Sequence, residues 1–475
     1  MRIERRKLVD YAIIIFLFAV SVGIIFNDLG AVSLFEFDEA RHAQNALEML
    51  RSGDWVVLRY GGEPDTWNLK PPLGAWLIAV SFKLFGFTEF AVRFWSAVAG
   101  AGLVVVVYFF AKEIQNRPAG VIAAALLFIN KGFLGFHAVR SGDYDSLATF
   151  FICLSFYLLV LYTRKKHIGY LACIGALTGL TFMTKGWLCL SILAVIAIYV
   201  CVSGLFKEYI NKGVIYAALS FFAVTLPWAF FKFLRDPEFI IKLSQRDLIQ
   251  RFVSSVESTP YDWTFYFDLL KSNLGVILYV LLFVSLAYSA YLIKKGNKPV
   301  LILGIWLLLF LSMLTIAKTK LPWYVMPAYP AISILTAVFI SGMAGLLRLR
   351  GPLLLAIFFI FASPSLISAA KSTNDHWVSE DVKLAGLLKG DLGRGSDLYI
   401  YSRDKNQSLT FYLSAYSGRA VKQFSYLNQI KDKKPGYLVL QFSKYKPLSL
   451  EMKKEYLLLR SVEADGKFAA LYVRQ

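Results

Sequence analysis

Two aspartates stand out as side chains able to do chemistry. Asp38 lies in FEFDEARHAQ (residues 35–44), which crowds Glu36, Asp38, Glu39, Arg41 and His42 beside the first long apolar run. Asp145 lies in HAVRSGDYDS (137–146), with Asp143 two residues earlier as a competitor for the same role. Carboxylates from two loops that meet on one surface form a plausible catalytic pair. Each also has a structural reading, as the cap of a helix: Asp38 ahead of 39–51, Asp145 at the start of SLATFFICLSFYLL.

Several cations accompany them. Lys70 precedes Pro71 and Pro72, which hold 69–72 extended and fix where its ammonium points. Lys185 sits in MTKGW between two apolar runs, where it can also snorkel to the surface. Arg246 and Arg251, in SQRDLIQRF, are five apart, a spacing that does not put both on one helix face. Lys318, Lys320 and Tyr324 occupy AKTKLPWYVMPAYP, whose prolines resist a plain helix. Singly, each cation reads as an anchor at lipid headgroups. Together they read as a site that neutralises a phosphate leaving group. Asp38, Glu39 and Asp145 also offer oxygen ligands for a divalent metal, an alternative the residues leave open.

The elements that must position these groups are membrane spans. Of the 475 residues, 57% are hydrophobic and only 17% charged, and the mean hydropathy is +0.55. Apolar runs near 20 residues recur, the length needed to cross a bilayer. The net charge of +19 sits mostly in short loops, where cations meet anionic headgroups and set topology; nucleic acid is not implied. The four cysteines, Cys153, Cys173, Cys189 and Cys201, all lie in apolar runs without metal-type spacing. The first apolar run is too long for a signal peptide and reads as a retained span.

Candidate spans are 10–29, 91–111, 118–136, 146–163, 168–183, 187–205, 213–233, 272–293, 299–316, 323–344 and 351–370. The stretch 71–87 decides between eleven and twelve spans. If it lies in the interface as a juxtamembrane helix, every short basic loop (residues 2–7, 112–117, 163–167, 207–212, 294–298 and 348–350) falls on one face. Eleven spans follow, with a cytoplasmic N-terminus. The opposite face then collects the two aspartates and the cations above. Residues 371–475 change character, with β-like runs at 397–402, 436–442, 456–462 and 468–473 and a helical pattern at 405–415. The expected architecture is mainly α: a membrane domain over 1–370 and a small soluble α/β domain over 371–475, outside the membrane. No phosphate-binding glycine motif occurs in that second part.

Several of these stretches resemble a known family. FEFDEARHAQNALEMLRSGDWVVLRYGG, NLKPPLGAWLIAVSFKLFGF, VRSGDYDSLATFF, GLTFMTKGW, LPW (226–228) and KTKLPWYVMPAYPAISIL are similar to the ArnT-like and protein-mannosyltransferase-like integral membrane glycosyltransferases of the GT-C fold. The likeness runs in order over about 35–345. It implies transfer of a sugar from a polyprenyl phosphate, with inversion, in the outward-facing leaflet of a bacterial inner membrane. Implied partners are that donor, membrane lipids, and a lipid A-like, glycan or protein acceptor. Asp38 and Asp145 match the family's first-loop and second-loop aspartates, with Glu39 beside the first. Lys70, Arg251 and Tyr324 match positions associated with the donor phosphate, a group to which Arg41, Lys185, Lys318 and Lys320 are added here. No cofactor is implied. Two residues depart from the pattern. His42 replaces a tyrosine, and Leu69 stands where aminoarabinose transferases tend to carry an acidic residue. A transporter or flippase is the alternative from another class, but no internal repeat supports it and the charges sit at span ends.

Overall fold

Apolar runs of this length leave backbone N–H and C=O groups no partners but one another, so they fold as helices. In a computed structural model of the chain, the described residues are 2–474 apart from 210, 255–261, 375, 393–397, 402–405, 419–420, 425–435, 443–455 and 466. Among them, nine stretches are long and apolar enough to cross a membrane. The expectation of eleven differs from that count at two places. One is Gly169–Ser203, a single 35-residue stretch by composition, which is broken at Gly186 (φ 57°) into helices Gly169–Lys185 and Leu190–Ser203. The other is Arg117–Ile129, which at 13 residues is shorter than a full span.

The packing shows that Gly169–Lys185 and Leu190–Ser203 are separate passes and gives the direction of Arg117–Ile129. Helix Gly169–Lys185 lies beside Lys212–Arg235 so closely that a Cβ on Gly175 would fall 2.0 Å from the Ala217 carbonyl oxygen. Leu171 meets Gly213, Gly175 meets Ala217 and Gly179 meets Val224, so the two helices run parallel. Leu190–Ser203 must therefore return between them. Arg117–Ile129 runs antiparallel to Tyr329–Leu346: Ser341 donates to Asn116 at 2.9 Å, while Gly132 lies against Tyr329. Each of the eleven expected runs is thus helical among the described residues.

Two compact units make up the chain. The first comprises Met1–Asn27, Leu69–Leu73 and Trp95–Asn374; the second comprises Asp28–Asn68, Gly74–Phe94 and Asp375–Gln475. In the first unit the short basic loops gather at one end. Asp10 pairs with Arg117 at 2.6 Å and Lys112 at 2.7 Å. Arg164 pairs with Glu113 at 2.6 Å, and Lys166 with Glu208. The 341–350 turn joins the same end through Ser341 and Asn116. Helix Phe265–Lys294 is broken at Gly275 (φ 73°), which divides a short entry helix from the apolar run expected near 272.

The second unit regroups what a boundary at residue 370 separates. The first loop, with helix Asp38–Ser52 and the Arg59–Tyr60/Glu63–Pro64 hairpin, belongs with the C-terminal segment. Helix Leu73–Phe85 has 13 residues, about 20 Å at 1.5 Å per residue, too short for a hydrocarbon core of about 30 Å. The C-terminal sheet has the order 421–424, 398–401, 437–442, 467–474, 456–464. Its first three strands are parallel to one another; the pairs involving 467–474 are antiparallel. Helix Gln407–Ser417 links strands 398–401 and 421–424 as a crossover. Four of the five strands fall where the β-like runs predict. Val421–Phe424 and helix Glu380–Leu388 were not expected.

A buried ion pair holds the first loop. All five N–H donors of Arg93 are used: Nε and Nη2 on Glu39 (2.7 and 2.9 Å), the others on the carbonyls of Leu29, Val32 and Ser33 at 2.7–3.0 Å. Both side chains are essentially inaccessible to water. Removing one partner would leave a buried charge uncompensated, a loss of about 3–5 kcal/mol. Arg93→Met should therefore lower the thermal unfolding temperature of the purified protein markedly; an unchanged transition would show that the pair does not hold the loop.

Candidate active site

Asp38 is the first residue of its helix, not the cap. The cap position is Phe37, with φ 70° and ψ −113°, and no side chain caps the N-terminus. Phenylalanine rarely adopts positive φ, a strain of about 1–3 kcal/mol that persists only where surrounding structure enforces it. Here the Phe35 N–H donates to Glu39 at 2.8 Å, and the Phe35 and Phe37 carbonyls accept from Ala40 and Arg41. Asp38 is half-buried on the first turn, where the helix dipole favours its negative charge.

Two neighbours expected in the chemistry are structural instead. Glu39 is occupied by Arg93 and by the Phe35 N–H, so its carboxylate braces the loop. Arg41 forms a two-pronged pair with Asp65, at 2.8 Å for each bond, and stacks over Tyr60 with its Cζ 4.3 Å from the ring centre. Its charge is thereby neutralised inside the second unit. Burial alone raises the Asp65 carboxyl, but the Arg41 bonds and charge, with Asn68 and Asn45, hold it below the usual carboxylate range. His42 is buried in the same helix.

In the first unit, four expected residues come together at the end opposite the basic loops. Asp145 opens helix Asp145–Lys165, whose cap position is Tyr144, so Asp145 too is not a cap. Its Oδ1 lies 2.6 Å from the Lys185 ammonium, with side-chain exposures of 5% and 13%. Lys185 ends its helix because Gly186 turns the backbone into positive φ, which frees the side chain from the helical row. Tyr324 sits in the 3-10 turn Pro322–Ala328, shaped by prolines at both ends of PWYVMP. The Tyr266 hydroxyl pins that turn by bonding both the N–H and the carbonyl of Leu321, each at 3.1 Å. Arg251 donates to the Tyr324 hydroxyl, and its Cζ lies 5.7 Å from the ring centre. The Lys185 ammonium lies 5.5 Å from the same ring. Lys70 lies over Tyr144, next to Asp145 in sequence, at 5.8 Å from the ring centre.

Lys185 thus meets Asp145 directly, Lys185 and Arg251 share Tyr324, and Lys70 lies over the neighbouring Tyr144; at the end of an apolar bundle such charges interact more strongly than in water. Lys320 does not join these residues. Its ammonium donates to the carbonyls of Leu314, Thr315 and Ala317 at 2.7–3.2 Å, closing the C-terminus of helix Lys298–Ile316. Burial pushes that ammonium below its ordinary value. Lys318 is exposed on the same loop. Asp143 is buried, accepts from Ser141 at 2.9 Å, and lies 3.1 Å from His137 Nδ1.

His137 and Trp323 were not singled out in the sequence. His137 has φ 56° and stacks on Trp323, with ring centres 3.7 Å apart and planes 8° from parallel. Trp323 precedes Tyr324, so the loop bearing Asp143 and Asp145 is coupled to the turn bearing Tyr324. The only sequence signal was their place in two loops already under consideration.

Comparison with known proteins defines the class. The family described as dolichyl-phosphate-mannose-protein mannosyltransferase matches residues 69–230. The undecaprenyl phosphate-alpha-4-amino-4-deoxy-L-arabinose arabinosyl transferase of Pseudomonas savastanoi pv. phaseolicola is 30% identical over 312 residues, 65% of this chain and 57% of the relative. The chain thus spans little more than half the length of that curated relative. The crystal structure of ArnT from Cupriavidus metallidurans bound to undecaprenyl phosphate superposes with a TM-score of 0.73 at 17% identity, covering 98% of this chain and 97% of that one. The archaeal oligosaccharyltransferase AglB from Archaeoglobus fulgidus gives 0.63 at 14% identity, covering 92% and 70%. The chain is a polytopic membrane protein with the GT-C fold. That fold is similar to the one of ArnT.

The contrast between the two lysines is testable. Lys320→Met would strand three carbonyls in a buried helix end, at about 1–3 kcal/mol for a lost charged donor. Lys318→Ala, at an exposed position, should stay within about 0.5 kcal/mol. Thermal unfolding of the two variants should separate them; equal stabilities would remove the capping role.

Proposed function

We propose that this protein is an inverting glycosyltransferase that moves a sugar from a polyprenyl phosphate, such as undecaprenyl phosphate, to a lipid A-like lipid, a glycan or a protein. The observation that carries the reading is the cluster of Asp145, Lys185, Tyr324 and Arg251 at the end of the membrane unit away from its basic loops. In such a transfer the acceptor oxygen attacks the anomeric carbon as its bond to the phosphate oxygen breaks. The electron pair stays on the phosphate, which goes from one negative charge to two. On this reading Lys185, Arg251 and Lys70 meet that added charge, so their stabilisation is greater after bond cleavage than before it. On this reading the side chains supply the counter-charge, with no metal required.

Asp38 is assigned to the acceptor. If the acceptor is a hydroxyl, Asp38 takes its proton as general base; if it is a phosphate anion, Asp38 orients it. Leu69 offers no carboxylate to an amino-sugar, and the reading is set at pentosyl or hexosyl transfer. The setting is read as the bacterial inner membrane, and the positive-inside rule applied to the gathered basic loops supports an N-terminus in the cytoplasm and residues 371–475 in the periplasm.

Asp38→Asn tests the assignment. Asparagine keeps the shape and can still sit on the first turn, but it can neither accept the proton nor carry the charge. Transfer from a polyprenyl-phosphate sugar should fall about a hundredfold or more, with normal folding, and the wild-type rate should be the same with and without a chelator. Near-normal turnover in Asp38→Asn would move the centre towards Asp145. For topology, reporter fusions after residues 166 and 297 should read as cytoplasmic and one after 475 as periplasmic; a cytoplasmic signal from the last would overturn the orientation.

A further inference from the structure

Asp38 is held at one end of a loop whose other contacts run to the C-terminal segment, and both belong to the second unit. Helix Gln407–Ser417 has Asn406 at its cap position with no side-chain cap of its own. Its first two N–H groups instead donate to Glu36, from Gln407 to Oε2 at 2.9 Å and from Ser408 to Oε1 at 3.0 Å. Residues 407 and 408 are thus capped by a carboxyl about 370 positions earlier in the chain and two before Asp38. One turn and a half further along, the buried Tyr412 hydroxyl accepts from the Leu34 N–H at 3.0 Å and donates to Glu89 at 2.8 Å. Positions 34 and 36 are therefore fastened to one face of this helix, and Phe37, with its positive φ, follows directly.

We propose that the C-terminal segment serves as a clamp for the Asp38 loop, with Glu36 and Tyr412 as positioning residues for the transfer reaction. The inference rests on Asp38 acting in transfer. A strained residue keeps its conformation only where flanking contacts over-determine it, and here they come from two sides. Arg93 and Glu39 hold the loop on one side, and the 407–417 helix holds it on the other. Releasing the second side lets Phe37 relax and swings Asp38 off its geometry, without touching any group that meets the donor phosphate. Burial, reinforced by the Asp381 charge, pushes the Glu36 carboxyl up, against the two helix N–H groups that pull it down.

The experiment uses the full-length enzyme in detergent with a polyprenyl-phosphate sugar donor. Glu36→Ala and Tyr412→Phe should each lower kcat by about tenfold to a hundredfold, the scale of a misplaced catalytic group, with donor KM unchanged. Glu36→Gln, which keeps one of the two acceptor oxygens at the helix N-terminus, should restore part of the rate. In an Asp38→Asn background, adding Glu36→Ala should cost nothing further, since both act through the same carboxylate. Should Glu36→Ala fail to accumulate, Tyr412→Phe decides alone. Wild-type kcat in Tyr412→Phe and Glu36→Ala, with Asp38→Asn inactive, overturns the clamp and leaves the proposed function standing. A fully active Asp38→Asn overturns the role of Asp38 and the clamp with it.

Discussion

A charge at the end of an apolar helix is tolerated only where another charge or an oriented dipole meets it. That constraint ties the ionisable residues of this protein to partners, and the kind of partner differs from place to place. Arg93 directs every donor it has at Glu39 and three carbonyls, and Lys320 directs its ammonium at a helix end. Arg41 is matched by Asp65. Each of these arrangements is internally complete, with the positive group enclosed by acceptors. Lys185 meets the Asp145 carboxylate and the face of Tyr324, whose hydroxyl accepts from Arg251. The enclosed arrangements give rigidity, and on the proposed reading the Tyr324 cluster is where an anion is met.

Much of this was legible in the sequence because membrane proteins write topology in two coarse signals, apolar length and the sidedness of lysine and arginine. The gathering of Asp10, Lys112, Arg117, Arg164 and Lys166 at one end is the pattern those loops imply. The reversal after Lys185 was legible too, since Gly186 ends a helix that composition alone would carry through to Ser203. The β-runs of the C-terminal segment alternate strongly enough to be found, whereas the four-residue strand Val421–Phe424 carries too short a pattern.

The site was legible only in part. Asp145, Lys185, Arg251 and Tyr324 come from four loops, and a membrane topology that sends those loops to one end suffices to predict their meeting. What topology cannot predict is pairing. Glu39 and Arg41 look like Asp38's partners in chemistry because they adjoin it, yet their own partners lie 54 and 24 residues away. Lys320 is a long side chain that folds back three to six residues onto its own helix end, a choice decided by local packing. The grouping of the first loop with the C-terminal segment rests on polar contacts such as those of Glu36, Gln44, Arg51 and Tyr412, which have no periodicity to betray them.

The ion pair between Asp145 and Lys185 fits the demands of a turnover cycle better than a pair of unopposed cations would. On the proposed reading, the donor arrives as a phosphodiester with one negative charge and departs as a monoester with up to two. Unopposed cations in a low-dielectric setting would stabilise the leaving phosphate strongly, and they would also retain it, because the same charge that lowers the barrier holds the product. A carboxylate 2.6 Å from one of them weakens the field felt by either state and gives Lys185 a partner when no phosphate is present. Lys185 is therefore the cation whose partner can change: on the proposed reading it exchanges between Asp145 and the phosphate as the charge on that phosphate rises and then leaves.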